Sequence, residues 1–266
     1  AMAEGFTAVA LGHHLDDALE TLFMNMMGKG ELSTMPPVVS YRKYPLRVIR
    51  PGERVLIGAS GGKDSAVMAR DLALKKRRGR LDAELVGLHI RNDFSPDALS
   101  ERLRAEYADW GIPLVTIDVA VEGRLKPGRK MNCYWCSTQR RTELIRYAMA
   151  EGFTAVALGH HLDDALETLF MNMMGKGELS TMPPVVSYRK YPLRVIRPLY
   201  LVEERQIVEL AESLGLTAST CTCGYNDRSE RDRIRDRVEA LTGGSSRAKR
   251  NLLESLRHVN AEYLPS

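Results

Sequence analysis

The stretch "RVLIGASGGKDSAVMARDLALKK" (54–76) constrains the fold more than any other part of the chain. An apolar run ends in Gly and Ser, two further glycines follow, and apolar residues then recur at helical spacing, which predicts strand, tight turn and helix in immediate succession. Such a unit puts Gly61 and Gly62 at a helix start, where backbone N–H groups lack intrahelical partners and the helix dipole is positive. Lys63 and the hydroxyls of Ser60 and Ser65 add donors, so the turn reads as a cradle for phosphate. It is not a Walker loop, which would need Gly where Ile57 stands and Ser or Thr where Asp64 stands.

The pattern then alternates. "AELVGLHI" (83–90) and "PLVTIDVAV" (113–121) read as strands, with a helix in "PDALSERLRAEYADWG" between them. A helix in "QRRTELIRYAMAEG", a strand in "AVALGH" (155–160), a helix in "DDALETLFMNMM", a fifth strand in "LRVIRPLYL" and a helix in "VEERQIVELAESLG" follow. Strands alternating with helices predict an α/β, doubly wound parallel sheet, whose ligands sit at the carboxyl ends of the strands. After "CTCG" the chain turns to charged helices, "SERDRIRDRVEAL" and "SRAKRNLLESLRHV", read as a short C-terminal helical tail with a solvent-facing, ion-paired surface.

One feature interrupts this order. Residues 1–51 repeat residues 148–198 without a substitution, a shift of 147 positions. Solenoid repeats diverge and come in threes or more, so a single perfect copy reads as a recent or artificial duplication rather than an evolved domain. The expected organisation is therefore 1–51 as a non-functional duplicate, 52–218 as the α/β domain that carries the phosphate turn, and 219–266 as a cysteine segment with C-terminal helices. The first copy lacks the cysteine pair and half the helix preceding its strand, so disorder, pairing at a sheet edge or domain swapping are its expected fates.

With 38 basic and 34 acidic residues the net charge is only +4, yet the basic residues are bunched. "KKRRGR" (75–80), "RLKPGRK" (124–130), "QRR" (139–141) and "SSRAKR" (245–250) point to a polyanionic partner such as RNA. No apolar run reaches the ~18 residues of a membrane span, and no signal peptide is evident, so a cytosolic protein is expected. In that compartment the four cysteines, "CYWC" (Cys133, Cys136) and "CTC" (Cys221, Cys223), suggest metal or redox chemistry rather than disulfides. Spacing alone leaves zinc and iron–sulfur open.

Ser-Gly-Gly-Lys-Asp-Ser at 60–65 closely resembles the PP-loop of ATP pyrophosphatases, which split ATP between its α and β phosphates. That loop, then "CYWCSTQRR" (133–141), "ALGHHLDDALETLFMNM" (157–173), "MPP" (182–184), "IRPL" (196–199) and a late Cys-Gly resemble, in that order, the tRNA 2-thiocytidine synthetase family from about residue 52 onward. The resemblance implies ATP and Mg2+ as cofactors, a 4Fe-4S cluster on three cysteines, and sulfur placed on cytidine 32 of tRNA. It implies Cys133, Cys136 and Cys223 as ligands. Because Cys-x-Cys stands where the family commonly shows Cys-x-x-Cys, Cys221 is an alternative third ligand.

A cluster held by three thiolates keeps one iron open for sulfur. The resemblance further implies that Ser60, Gly61, Gly62, Lys63, Asp64 and Ser65 hold the pyrophosphate, that Asp64 and Asp163 assist Mg2+, and that Arg140 or Lys63 offsets charge on the adenylate. Asp164 and His160 join the nucleotide site, although as a helix cap and a strand-end polar group they also have ordinary structural readings. Met171, Met173 and Met174 read as packing. tRNA and a sulfur donor such as a cysteine desulfurase are the implied partners, and a homodimer is compatible with them. Rival readings are another PP-loop tRNA enzyme of the thiouridine or lysidine type, and a zinc-stabilised RNA-binding protein without catalysis.

Overall fold

The computed structural model describes residues 48–93, 97–188, 191–216 and 230–258. Most of the duplicate, residues 1–47, and both Cys221 and Cys223 lie outside them, so the expectations placed there are not addressed by the structure.

The first three strands alternate with the first two helices: β1 (Glu53–Gly58), α1 (Lys63–Arg77), β2 (Ala83–Asn92), α2 (Asp97–Asp109) and β3 (Leu114–Val119). Then come α3 (Cys133–Ala150), β4 (Ala155–Ala157), α4 (Leu162–Lys176), β5 (Val185–Ser187), β6 (Arg194–Ile196) and α5 (Glu204–Ser213). Helices α6 (Glu230–Thr242) and α7 (Ser246–Ser255) complete the described elements.

The sheet runs β3-β2-β1-β4-β6-β5, and every neighbouring pair is parallel except β5 with β6. The expected α/β sheet is thus present, with an antiparallel edge strand that the sequence pattern did not disclose. Only residues 188–193 separate β5 from β6, far short of the dozen or more that a parallel crossover needs. The sheet's winding direction reverses between β1 and β4.

Strand β1 shows why the apolar run is continuous. Val55, Leu56 and Ile57 are each fully buried although they alternate between faces, because both faces are covered. Val55 and Ile57 pack with Val67, Met68 and Leu72 of α1, while Leu56 joins Leu88, Val156, and Leu144 and Ala148 of α3 on the opposite face. Each large apolar side chain buried this way contributes roughly 2 kcal/mol.

A third cluster joins α4 to the C-terminal helices: Leu162, Leu166 and Leu169 meet Ile234, Val238 and Leu253. The C-terminal helical tail is present with an ion-paired outer surface, and Ile234 and Val238 also give α6 an inward face that its charge density obscured. The methionines divide: Met171 packs against this cluster, whereas Met173 and Met174 are exposed.

Candidate active site

The phosphate turn leaves β1 at the point where the winding reverses, the place where open α/β sheets receive ligands. Ala59 N–H donates to Leu88 O (2.9 Å), holding the strand end to β2. Gly61 adopts φ +85°, open to glycine and strained for other residues, and a Cβ there would lie 2.6 Å from Leu99 Cδ1. The hydroxyls of Ser60 and Ser65 are 2.9 Å apart, and Ser65 Oγ donates to Gly62 O at 2.9 Å. They brace the turn from within. No side chain caps α1 at Gly62, so the first N–H groups of that helix remain available to an anion.

The turn after β4 packs directly on this helix start. A Cβ on Gly159 would come within 2.9 Å of Asp64 C and Ser65 N, so glycine is what lets the two segments touch. His161, buried, then brings three carboxylates together: Nε2 lies 3.4 Å from Asp164 Oδ2 and 3.9 Å from Asp64 Oδ1, and Nδ1 lies 3.8 Å from Asp163 Oδ2. Asp64 Oδ1 is buried, with Lys63 Nζ at 3.2 Å as its cation, and a buried carboxylate oxygen of this kind is also suited to a hard cation such as Mg2+.

The acidic cluster as a whole is tied to cations. Lys63 Nζ lies 2.8 Å from Glu204 Oε1 and 3.2 Å from Asp64 Oδ1. Glu204 lies 3.7 Å from Arg235, whose Nε meets Glu167 at 2.6 Å. Arg231 closes the circuit from Glu167 (3.2 Å) back to Asp164 (3.6 Å). Burial alone would lower the Lys63 pKa, but Glu204 and Asp64 outweigh it and hold the ammonium charged. Burial pushes the Glu167 carboxyl up, with Arg235 opposing.

Asp163 is occupied differently. One oxygen accepts from Glu204 N–H (2.7 Å) and the other from Lys249 Nζ (2.9 Å), which pins α4 to α5 and α7. Asp164 Oδ2 caps its own helix by accepting from His161 N–H at 3.1 Å, and neighbouring His161 and His160 keep its carboxyl below the usual range in spite of burial. His160 is pushed down to about 4 by burial, with Asp164 opposing and Arg197 and Arg141 reinforcing.

Cys133 and Cys136 stand on the first turn of α3, where residues three apart share a face. Neither is in a disulfide, and Cys133 is exposed. Asn132 opens the helix by accepting from Trp135 N–H at 2.8 Å, and Trp135 Nε1 donates to Val121 O at 3.1 Å. Cys136 Sγ accepts from Asn92, the last residue of β2, at 3.7 Å. One turn on, Arg140 acts on buried His89 of β2, whose pKa burial lowers first and Arg140 lowers further. His89 Nδ1 is 2.9 Å from Ala59 O, immediately before the phosphate turn. The thiol turn and the phosphate turn thus occupy the carboxyl ends of adjacent strands. Among the described residues no group of three or more His, Cys, Asp or Glu side chains is arranged so that it could hold a metal ion, the cluster around His161 included.

Residues 48–241 match the family described as the PP-loop domain. The tRNA-cytidine(32) 2-sulfurtransferase of Paracoccus denitrificans (strain Pd 1222) is 33% identical, over 82% of this chain and 74% of that protein. The chain belongs to the tRNA-cytidine(32) 2-sulfurtransferase family of PP-loop proteins. The family member of Sinorhizobium medicae (strain WSM419) is 32% identical, covering 87% of this chain and 85% of its own. Among solved structures, the U34-tRNA thiolase NcsA from Methanococcus maripaludis with its [4Fe-4S] cluster superposes with TM-score 0.65 at 22% identity, covering 82% of this chain and 78% of that one, and so shares the fold.

Within this sulfurtransferase family member, Ser60, Gly61, Gly62, Lys63, Asp64, Ser65, Asp163 and Asp164 come together as one neighbourhood, and Cys133, Cys136 and Arg140 flank it through β2. His161, rather than His160, makes the close contacts to the carboxylates. The motif reading missed Gly159, Glu167, Glu204, Arg231, Arg235 and Lys249. Gly159 carried a signal, standing between a buried strand and a polar turn; the others carry none that sequence spacing exposes.

Proposed function

We propose that this chain is an ATP-dependent tRNA thiolase that replaces the C2 oxygen of cytidine 32 with sulfur. The observation that carries the reading is the shared rim: an uncapped, glycine-built helix start at the end of β1, and two thiols on a helix turn at the end of β2. An anion cradle alone fits many enzymes, and a thiol pair alone fits a zinc knuckle. Together, in a chain of this family, they fit activation of an oxygen by ATP followed by its displacement by sulfur.

In this reading the pyrophosphate of ATP lies against Gly61, Gly62 and the first N–H groups of α1, with Ser60 and Ser65 keeping the turn in shape. Asp64 Oδ1, now beside Lys63, takes Mg2+. Lys63 turns from Glu204 to the phosphates, and Arg140 offsets charge on the adenylate. The cytidine C2 oxygen attacks the α phosphorus and pyrophosphate leaves; sulfur then bonds to C2 and AMP departs with the original oxygen. Two unbridged thiols one helical turn apart suit an iron–sulfur cluster, which Cys133, Cys136 and Cys223, or Cys221 in its place, would hold and which supplies the station for the incoming sulfur.

Asp163, its carboxylate already bonded to Glu204 and Lys249, is a positioning residue. tRNA is the partner, a cysteine desulfurase the sulfur source, and the cytoplasm the compartment. Among the described residues no helix is long and apolar enough to cross a membrane. Residues 1–47 are dispensable in this reading, and their deletion leaves thiolation unchanged. Nucleoside mass spectrometry of tRNA from cells with and without the gene tests the proposal: 2-thiocytidine disappears with the gene, and its persistence refutes the assignment.

A further inference from the structure

We infer that Tyr134 is a stacking platform for an unpaired nucleobase of the tRNA loop, set beside the thiols. Tyr134 stands between Cys133 and Cys136 in the first turn of α3 and is 81% exposed, the most exposed large hydrophobic side chain among the described residues. Its neighbour Trp135 is anchored through the indole N–H to Val121 O, and Asn132 caps the turn, so the backbone that presents the ring is held from both sides. An aromatic ring left in water on a braced turn contributes little to folding.

The surroundings specify what covers it. Lys126, Arg129 and Lys130, in the segment leading to α3, are exposed, and no carboxylate among the described residues lies within ion-pair distance of them. Some arginines elsewhere on the surface are neutralised by a carboxylate, Arg54 by Glu84, Arg124 by Glu143 and Arg235 by Glu167, whereas exposed Arg77, Arg78 and Arg80 are not, among the described residues, but have no exposed aromatic ring beside them in the sequence. An uncompensated cationic lip next to a bare ring matches the two surfaces of a single-stranded nucleic acid, phosphates for the cations and a base face for the ring. A protein partner would call for acidic side chains and a broader apolar patch. The inference rests on the thiolation reading and adds to it a residue that selects looped over paired RNA.

Binding of two short RNAs to the full chain tests this: a stem-loop containing an unpaired cytidine, and a duplex of equal length. Tyr134→Ala weakens stem-loop binding by roughly tenfold or more and leaves duplex binding unchanged, while Tyr134→Phe keeps wild-type affinity for both. A combined Lys126, Arg129 and Lys130→Ala variant weakens both RNAs alike and flattens the salt dependence. If Tyr134→Ala binds the stem-loop like the wild type, or loses the duplex equally, the platform is refuted while thiolation stands. If the wild type binds neither RNA, the thiolation reading fails and the platform with it.

Discussion

The two sides of the nucleotide rim are built by different physics. On the β1 side, the phosphate turn is mostly local: its internal hydrogen bonds link Ser60, Gly62 and Ser65, no more than five residues apart, and Arg102 adds one from 41 residues away by donating to Gly61 O at 2.9 Å. On the β4 side, Asp163 and Glu167 find their partners at Glu204, Arg231, Arg235 and Lys249, separations of 41 to 86 residues. The first side offers backbone N–H groups to a ligand, while the second consumes its charges internally. In the proposed function, chemistry belongs to the β1 side, and the β4 side holds it in position.

The largest effect should separate the two sides outright. Lys63→Ala lowers kcat/KM for thiolation by about 10²–10³-fold, the usual cost of removing one group that stabilises developing charge, with little change in the unfolding midpoint. Asp163→Ala should do the reverse in stability: Lys249 keeps only exposed Glu239 at 2.8 Å, and breaking one partner from a buried pair costs about 3 kcal/mol in urea unfolding. If Asp163→Ala proves as stable as the wild type yet inactive, the division of labour is wrong.

A pH effect of similar or slightly smaller size belongs to the β4 side. His160 titrates near 4 in the folded chain and near 6.5 when unfolded, so between those values the unfolded chain binds more protons. Its contribution is fully present above about 6.5 and is lost as pH falls toward 4, up to about 3 kcal/mol. Urea midpoints measured across that window should fall for the wild type and fall less for His160→Gln. Smaller still, Gly159→Ala should cost about 2 kcal/mol, because a methyl 2.9 Å from the Asp64 and Ser65 backbone forces the two sides apart. A weakened ATP KM accompanies it if the sides are coupled.

The same contrast explains what was readable. The β1–turn–α1 unit was legible because each step is decided within a few residues, and the core positions of β1 because a strand buried on both faces must be apolar throughout. The ion circuit was not: Arg231 and Arg235 look like surface charge until α6 is packed on α4. The repeated letters make the point within one chain. Val48 to Pro51 and Val195 to Pro198 are the same tetrapeptide, and both valine–isoleucine pairs are buried. Only Val195 and Ile196 form a strand, because β4 and β5 flank them, whereas Val48 and Ile49 pack without a ladder and Val48 O accepts from Arg194. Identical sequence takes the conformation its neighbours offer. The third cysteine ligand is a different matter, since Cys221 and Cys223 rest on motif order alone.

One labelling measurement addresses the central claim, that the phosphate turn and the thiol turn act in succession on one atom of the substrate. tRNA bearing heavy oxygen at C2 of cytidine 32 is incubated anaerobically with the iron-loaded protein, ATP, Mg2+ and a sulfur donor, and the AMP is analysed by mass spectrometry. The account predicts heavy oxygen in the AMP phosphate in proportion to the 2-thiocytidine formed. Unlabelled AMP alongside thiolated tRNA would contradict it.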